Sequence, residues 1–396
     1  MNHQLLLTTF QRIFPGNEAE KTRTFFSPGR INLIGEHTDY NGGYVFPSAI
    51  TYGTYGLTQP RKDRKIRVYS MNFEEKGIIE FTLDELEYEP AHLWANYPKG
   101  VLNYIKRLGY EMPHGLDILI SGNIPNGAGL SSSASLEILI GVMVNEVFKL
   151  GIDRIQLVKL GQRVENEFIG VNSGIMDQFA IGMGKAKSAI LLDCHTLSYE
   201  YAPFDIADHQ IVIMNSNKRR ELTDSKYNER RSQCEEALKK LQTVLDLNSL
   251  GEMSIELFEQ NKSIIENPIL EKRARHAVYE NDRTKKAFKA LQEENLTQFG
   301  LYMNESHISL RDDYEVTGPE LDALVEAAWK QTGTVGARMT GAGFGGCAIA
   351  LVKIADVERF IQEVGSTYKK TIGYKADFYV ASIGDGAREI TLEVSF

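Results

Sequence analysis

Arg30, Glu36, His37 and Asp39 lie within ten residues of one another, in the segment SPGRINLIGEHTDYNGG that spans 27–43. Each ionised carboxylate accepts several O–H hydrogen bonds, and a fixed set of acceptors can tell epimers apart. Such a set suits the hydroxyls of a sugar or polyol. A surface turn with scattered charges has the same composition, so the cluster gains meaning only beside other chemistry.

A second segment, IPNGAGLSSSAS at 124–135, runs straight into an apolar stretch. Small residues opening onto a helix leave backbone N–H groups unpaired at the positive end of its dipole, which favours phosphate. Ser131, Ser132 and Ser133 can cap the helix, bond phosphate oxygens or ligate Mg²⁺. Three consecutive serines and two glycines exceed the needs of one cap, so the phosphate reading is preferred. No GxxxxGK[ST] occurs in the chain, so phosphate charge must be met by dipoles and a metal.

A third segment, GAGFGG at 341–346, satisfies GxGxxG, and the window 333–346 holds six glycines. In dinucleotide-binding folds the motif follows a strand and opens a helix. Here it precedes a strand pattern, so a tight turn is expected, either bare or supporting a neighbouring site.

The elements that must position these segments read as a mixture of strands and helices. Strand patterns fall at 65–69, 78–83, 115–120, 189–192, 210–214, 347–352 and 377–383. Helical patterns fall at 133–148, 153–168, 227–245, 270–293, 319–330 and 355–371. The helix at 133–148 is apolar almost all round and should be buried. Strands and helices mixed through both halves predict an α+β (mixed α/β) protein. A boundary near 205 divides it into an N-terminal domain, 1–205, and a C-terminal domain, 206–396.

Composition narrows the partners. Lys plus Arg number 44 and Asp plus Glu 53, a net charge of −9, which argues against broad nucleic-acid binding. The densest basic stretch, 218–231, is interleaved with Glu221, Asp224 and Glu229 and reads as a solvated helix face. Cys194, Cys234 and Cys347 are widely spaced and form no CxxC pair, which fits a reducing cytoplasm. No apolar run reaches the length of a membrane span, and the start of the chain lacks a signal-peptide pattern. Small-molecule substrates are expected, with no nucleic acid, no membrane and no obligate protein partner.

The three segments, in this order, resemble the GHMP small-molecule kinases, and GRINLIGEHTDY at 29–40 resembles the galactokinase signature at every position. The resemblance runs in one register from about 26 to 383. It implies a two-domain GHMP-kinase fold with the active site in the inter-domain cleft. It also implies transfer of the ATP γ-phosphate to the C1 hydroxyl of D-galactose, the first committed step of galactose catabolism. The alternatives are an N-acetylgalactosamine kinase, whose pocket admits a bulkier C2 group, and a catalytically silent galactose/ATP sensor.

By the same resemblance, Asp177 in NSGIMDQ at 172–178 is the general base and Arg30 its cationic partner. From the residues alone, Asp177 is equally well a turn or cap residue. Glu36, His37, Thr38, Asp39 and Tyr227 match sugar contacts. Gly127, Ala128, Gly129, Leu130, Ser131, Ser132 and Ser133 match the phosphate loop, and Ser70 matches a nucleotide contact. Mg²⁺, with ATP as co-substrate, is assigned to Ser133 and Glu165. Periodicity cannot choose between Glu165 and Glu167, since both flank the same apolar stripe; the resemblance selects Glu165.

Overall fold

The computed structural model describes residues 3–16, 22–125, 129–204, 206, 208–218 and 223–391. Its largest sheet has six strands in the spatial order Arg388–Glu389, Arg23–Asn32, Pro47–Pro60, Leu116–Gly122, Lys65–Ser70 and Ile79–Thr82. Neighbours run antiparallel except Lys65–Ser70 beside Leu116–Gly122, which run parallel. A second, four-stranded antiparallel sheet orders Thr334–Thr340, Cys347–Lys353, His209–Asn215 and Asp377–Ala381. A three-stranded sheet joins Tyr44–Val45, Ser188–Asp193 and Tyr199–Pro203. Mixed helices and strands in this arrangement are the expected fold class.

Against the six-stranded sheet lies the helix Ser132–Phe148, apolar on every side because it is covered on every side: residues 134–144 are all buried. Beyond it, Asn96–Arg107 and Arg154–Arg163 complete the layer, the latter opened by Asp153 accepting from the Ile155 and Gln156 N–H groups. The helices Thr223–Leu241, Pro268–Gln292, Gly318–Trp329 and Val357–Ile372 share a core with one face of the four-stranded sheet. Between the two assemblies a third core brings Ile31, Leu33 and Phe46 against Ile213, Phe299 and Ile349. That shared core fixes the facing edges on which the candidate site is built. Among the described residues no helix is long and apolar enough to cross a membrane.

Each expected strand and helix has an observed counterpart, with ends shifted by a few residues. The omissions are informative. The strands Arg23–Asn32 and Pro47–Pro60 are buried on both faces over most of their length, so the alternation that marks a half-exposed strand is missing. Pro28 and Gly29 look like turn formers, yet they sit at a bulge where the pairing register shifts between Pro28 and Arg30. Arg30 therefore projects from a strand rather than from a turn. Gly29 is needed there because a Cβ would lie 2.7 Å from the Leu130 carbonyl oxygen.

Candidate functional site

A cavity of about 180 Å³, open to solvent, is lined by Arg30, Glu36, His37, Asp39, Asp177 and Tyr227, with the glycine turn at Gly341 and Ala342 on one wall. Its first wall is the turn that follows the strand Arg23–Asn32. Glu36 is almost fully buried and accepts from the Gly341 N–H and the Asn32 amide. Fully buried Arg338 stands 3.6 Å from it. Burial pushes the Glu36 carboxyl up to about 7, against the pull of Arg338, Gly341 N–H and Arg30. The GAGFGG segment is thus a supporting turn, clamped to the sugar-signature loop by a carboxylate.

His37 takes a left-handed backbone conformation, φ +61°, unusual for a residue with a side chain. The Asn41 amide holds its carbonyl at 2.7 Å. Burial, then the neighbouring Asp177 carboxylate, raise the Asp39 pKa to about 6. The Tyr40 N–H and the charge of Arg231 both favour an ionised Asp39 carboxylate. A Cβ on Gly174 would overlap Asp39 Oδ2, so glycine at 174 is what lets the carboxylate reach into the cavity. Thr38 departs from expectation. Its hydroxyl bridges the carbonyls of Gly35 and Tyr44 at 2.8 and 2.7 Å, and it braces the turn instead of lining the cavity.

Arg30 and Asp177, 147 residues apart in sequence, form a bidentate pair: Nε donates to Oδ1 at 2.9 Å and Nη2 to Oδ2 at 3.0 Å. Arg30 also donates through Nη1 to the Gly129 carbonyl at 2.7 Å. Ser131, the N-cap of the helix Ser132–Phe148, is left-handed and makes no capping bond with its side chain. Its hydroxyl donates to Asp177 Oδ2 instead. One guanidinium and one hydroxyl therefore join the serine-glycine loop to Asp177, and the first amides of the helix stay free of a side-chain cap. Gly129 and Leu130 belong to this junction through their carbonyls. Gly127 and Ala128 lie outside the described residues.

On the far side of the loop lies a second cavity, lined by Ser70, Asn72, Trp94, Tyr97, Ser132 and Ser133 with the apolar side chains of Phe73, Ile124 and Leu136. Ser70, Ser132 and Ser133 thus gather on one cavity, and the sugar-signature residues on the other. The aromatic pair escaped sequence reading. Trp94 sits in a short irregular turn with no periodicity to mark it; the only hint is that the chain has two tryptophans.

Glu165 joins the two cavities. Its Oε1 accepts from the Ser133 hydroxyl at 2.7 Å, and its Oε2 accepts from Gln178 at 2.7 Å and Ser173 at 3.0 Å. Burial raises its pKa, opposed by the Ser133 hydroxyl. The helix Arg154–Arg163 passes into a π-helical turn, Val164–Ile169, and this widened turn separates the two glutamates that periodicity leaves equivalent. Glu165 is buried, whereas Glu167 points to solvent and pairs with Arg163 and Tyr104.

The donors around Ser133 are oxygens, chiefly Glu165 and the buried Glu137; burial first, and then the charge of neighbouring carboxylates, raises the pKa of both. Glu137 Oε1 has no hydrogen-bond partner. Among the described residues no group of three or more His, Cys, Asp or Glu forms a metal cage. A hard cation that takes one carboxylate, a hydroxyl, waters and substrate phosphates fits this donor set.

Family models match the chain in three places: the galactokinase galactose-binding signature at 8–60, the GHMP kinase N-terminal domain at 96–185 and the GHMP kinase C-terminal domain at 287–370. The galactokinase of Exiguobacterium sibiricum is 59% identical over the full length of both chains. That of Clostridium beijerinckii is 57% identical over 98% of this chain and 99% of its own. A crystal structure of Lactococcus lactis galactokinase complexed with galactose superposes with a TM-score of 0.95 at 56% identity, covering 98% of this chain and 99% of that one. A mevalonate kinase, at 20% identity and a TM-score of 0.66, shares the fold. The sequence signature, the two-cavity site and these likenesses agree: the chain belongs to the galactokinase family of the GHMP kinases.

Proposed function

We propose that this ATP-dependent sugar kinase transfers the γ-phosphate of ATP to the C1 hydroxyl of D-galactose, giving α-D-galactose 1-phosphate and ADP. The observation that carries the reading is the Arg30–Asp177 pair, which stands where the carboxylate-lined cavity meets the loop that opens the helix Ser132–Phe148. In this reading Glu36, Asp39 and Tyr227 face the sugar hydroxyls. The free amides of the helix, with Ser131, Ser132 and Ser133, meet the phosphates. Ser70, Trp94 and Tyr97 line the place of the nucleoside.

Asp177 orients the C1 hydroxyl and takes its proton as the oxygen bonds to the γ-phosphorus; the bond to the β–γ bridging oxygen breaks and ADP leaves. Arg30, beside both the loop and Asp177, offsets negative charge on the transferring group. Ser133 and Glu165 would hold Mg²⁺, which when bound neutralises charge on the phosphates. We assign 1–205 and 206–396 to two domains, supported by the four-stranded sheet, all of whose strands follow Pro203; the short strand Arg388–Glu389 returns to the N-terminal sheet. A reducing cytoplasmic setting is supported by Cys194, Cys234 and Cys347, none of them in a disulfide.

An ADP-release assay over galactose, glucose and N-acetylgalactosamine, with and without Mg²⁺, tests the reading. Galactose turnover that needs Mg²⁺, with glucose far poorer and phosphorus coupled to the anomeric carbon in the product, is expected. Equal turnover of galactose and glucose, or phosphate on C6, overturns it.

A further inference from the structure

Behind the sugar-facing turn runs a chain of polar groups that the reaction does not itself use. His37 Nε2 lies 3.1 Å from the Ala342 carbonyl oxygen, and Nδ1 lies 2.7 Å from the Tyr40 hydroxyl. The Tyr40 and Tyr314 hydroxyls are 2.8 Å apart, and the Cys234 sulfur is 3.1 Å from the Tyr314 hydroxyl. Rings also pack beside the chain of bonds: the His37 and Tyr314 centroids lie 4.8 Å apart, tilted by 44°, and those of His276 and Tyr314 lie 4.5 Å apart, tilted by 40°. Tyr314 is fully buried.

The direction of every bond follows from its two ends. A carbonyl only accepts, so the proton of the imidazole is on Nε2, donating to Ala342. Burial holds the imidazole neutral, its pKa down at about 3, so Nδ1 has only a lone pair and Tyr40 must donate to it. That uses the one Tyr40 proton, so Tyr314 donates to Tyr40. Tyr314 in turn has only acceptor capacity left, and the Cys234 thiol supplies the last proton. Five groups thus point one way, from the helix Thr223–Leu241 to the glycine turn.

We propose that Tyr314 is a positioning residue for galactose: through Tyr40 it fixes the tautomer and plane of His37, and so the shape of the sugar-facing turn. The inference rests on the sugar reading of that cavity. Four segments distant in sequence meet in the chain, at residues 37–40, 234, 314 and 342. The anchoring end is rigid: Arg230 donates to the Tyr314 carbonyl at 2.7 Å and Arg273 to the Asp313 carbonyl. At the other end, His37 needs an external hold because its left-handed backbone is intrinsically disfavoured. With both ring nitrogens engaged by protein, His37 meets a sugar through its ring face and leaves hydroxyl recognition to its neighbours.

Tyr314→Phe keeps the packed ring and deletes only the hydroxyl, and Tyr40→Phe removes the donor to Nδ1. Calorimetry should show galactose Kd raised about five-fold by the first and about ten-fold or more by the second. The turnover number at saturating galactose and the KM for Mg-ATP should stay within about two-fold of wild type. In wild type carrying ¹⁵N-histidine, His37 should show a protonated Nε2 and a bare, hydrogen-bonded Nδ1, a pattern lost in Tyr40→Phe. Unchanged galactose Kd in both folded variants, or an Nδ1–H tautomer in wild type, overturns the proposal. Failure of wild type to bind galactose at all would instead overturn the sugar reading.

Discussion

In the proposed reading, the two cavities on either side of the Ser131–Ser133 loop, one for sugar and one for nucleotide, recognise their contents by opposite means. The sugar-facing cavity is walled by charge. Glu36 is clamped by Asn32, Gly341 and Arg338, and Asp177 by Arg30 and Ser131. The nucleotide-facing cavity offers Trp94, Tyr97, Phe73, Ile124 and Leu136, with a few hydroxyls at its rim. Hydroxyl stereochemistry can be read only by acceptors that do not move, so the first cavity invests in a rigid, cross-linked frame. An apolar slot needs only shape and area, and its lining comes from an irregular turn at Trp94, helices at Tyr97 and Leu136 and loops at Phe73 and Ile124. The cross-linked wall is therefore the more sensitive to conservative, single-atom changes.

The largest expected effect falls on the element the cavities share. Asp177→Asn keeps shape and hydrogen bonding but cannot take a proton, so turnover should fall by about 10²–10⁴ with galactose and ATP binding retained. Single-turnover rates at saturating substrates check it; wild-type rates would remove Asp177 from proton transfer. Next comes the polar wall alone. Asp39→Asn should weaken galactose binding by about ten- to a hundred-fold, the loss of a charge-assisted hydrogen bond worth about 1.5–3 kcal/mol, while ATP affinity holds. Calorimetry with each ligand decides.

Trp94→Ala should do the reverse, raising the KM for ATP about ten-fold and leaving galactose affinity untouched. An effect on both ligands would mean that the cavities are not independent. The smallest effect is one of pH. Asp39 has a pKa of about 6, so acidifying from pH 7 to 5 protonates the acceptor and should weaken galactose binding about three- to ten-fold. A titration of Asp39→Asn should lack that slope. The sign for stability is opposite: the folded chain holds this proton more tightly than the unfolded one. The contribution of Asp39 to stability therefore falls as pH rises from about 4 to about 6.

Much of this was legible in the chain because the chemistry is concentrated. Glu36, His37 and Asp39 sit in one segment, and Ser131–Ser133 in another, so local composition exposes them. Thr38 shows the limit: within a dense polar segment, type alone does not separate the residue that faces a ligand from the one that ties the loop. Glu165 and Glu167 show another, since an α-helical period cannot anticipate a π-helical turn. The long strand Pro47–Pro60 stayed hidden because burial on both faces erases alternation, and Pro28 and Gly29 disguised the strand that bears Arg30. Tyr314 has no local signature at all; its role exists only in the contacts that folding creates.

The strand Arg388–Glu389 pairs with Phe25 and Phe26, and Arg23 meets Glu389 across 366 residues of sequence. Synthesis runs from the amino terminus, so the strand that carries Arg30 is made early and waits, one edge bare, for almost the whole chain to leave the ribosome. Arg154, which donates to the Ala387 carbonyl, waits with it. An interrupted chain cannot close this sheet edge and would present unpaired amides and carbonyls to any other nascent strand. Synthesis of Arg388 and Glu389 is in this sense part of assembling the sheet that carries Arg30, and products truncated before them would betray themselves by sticking to one another.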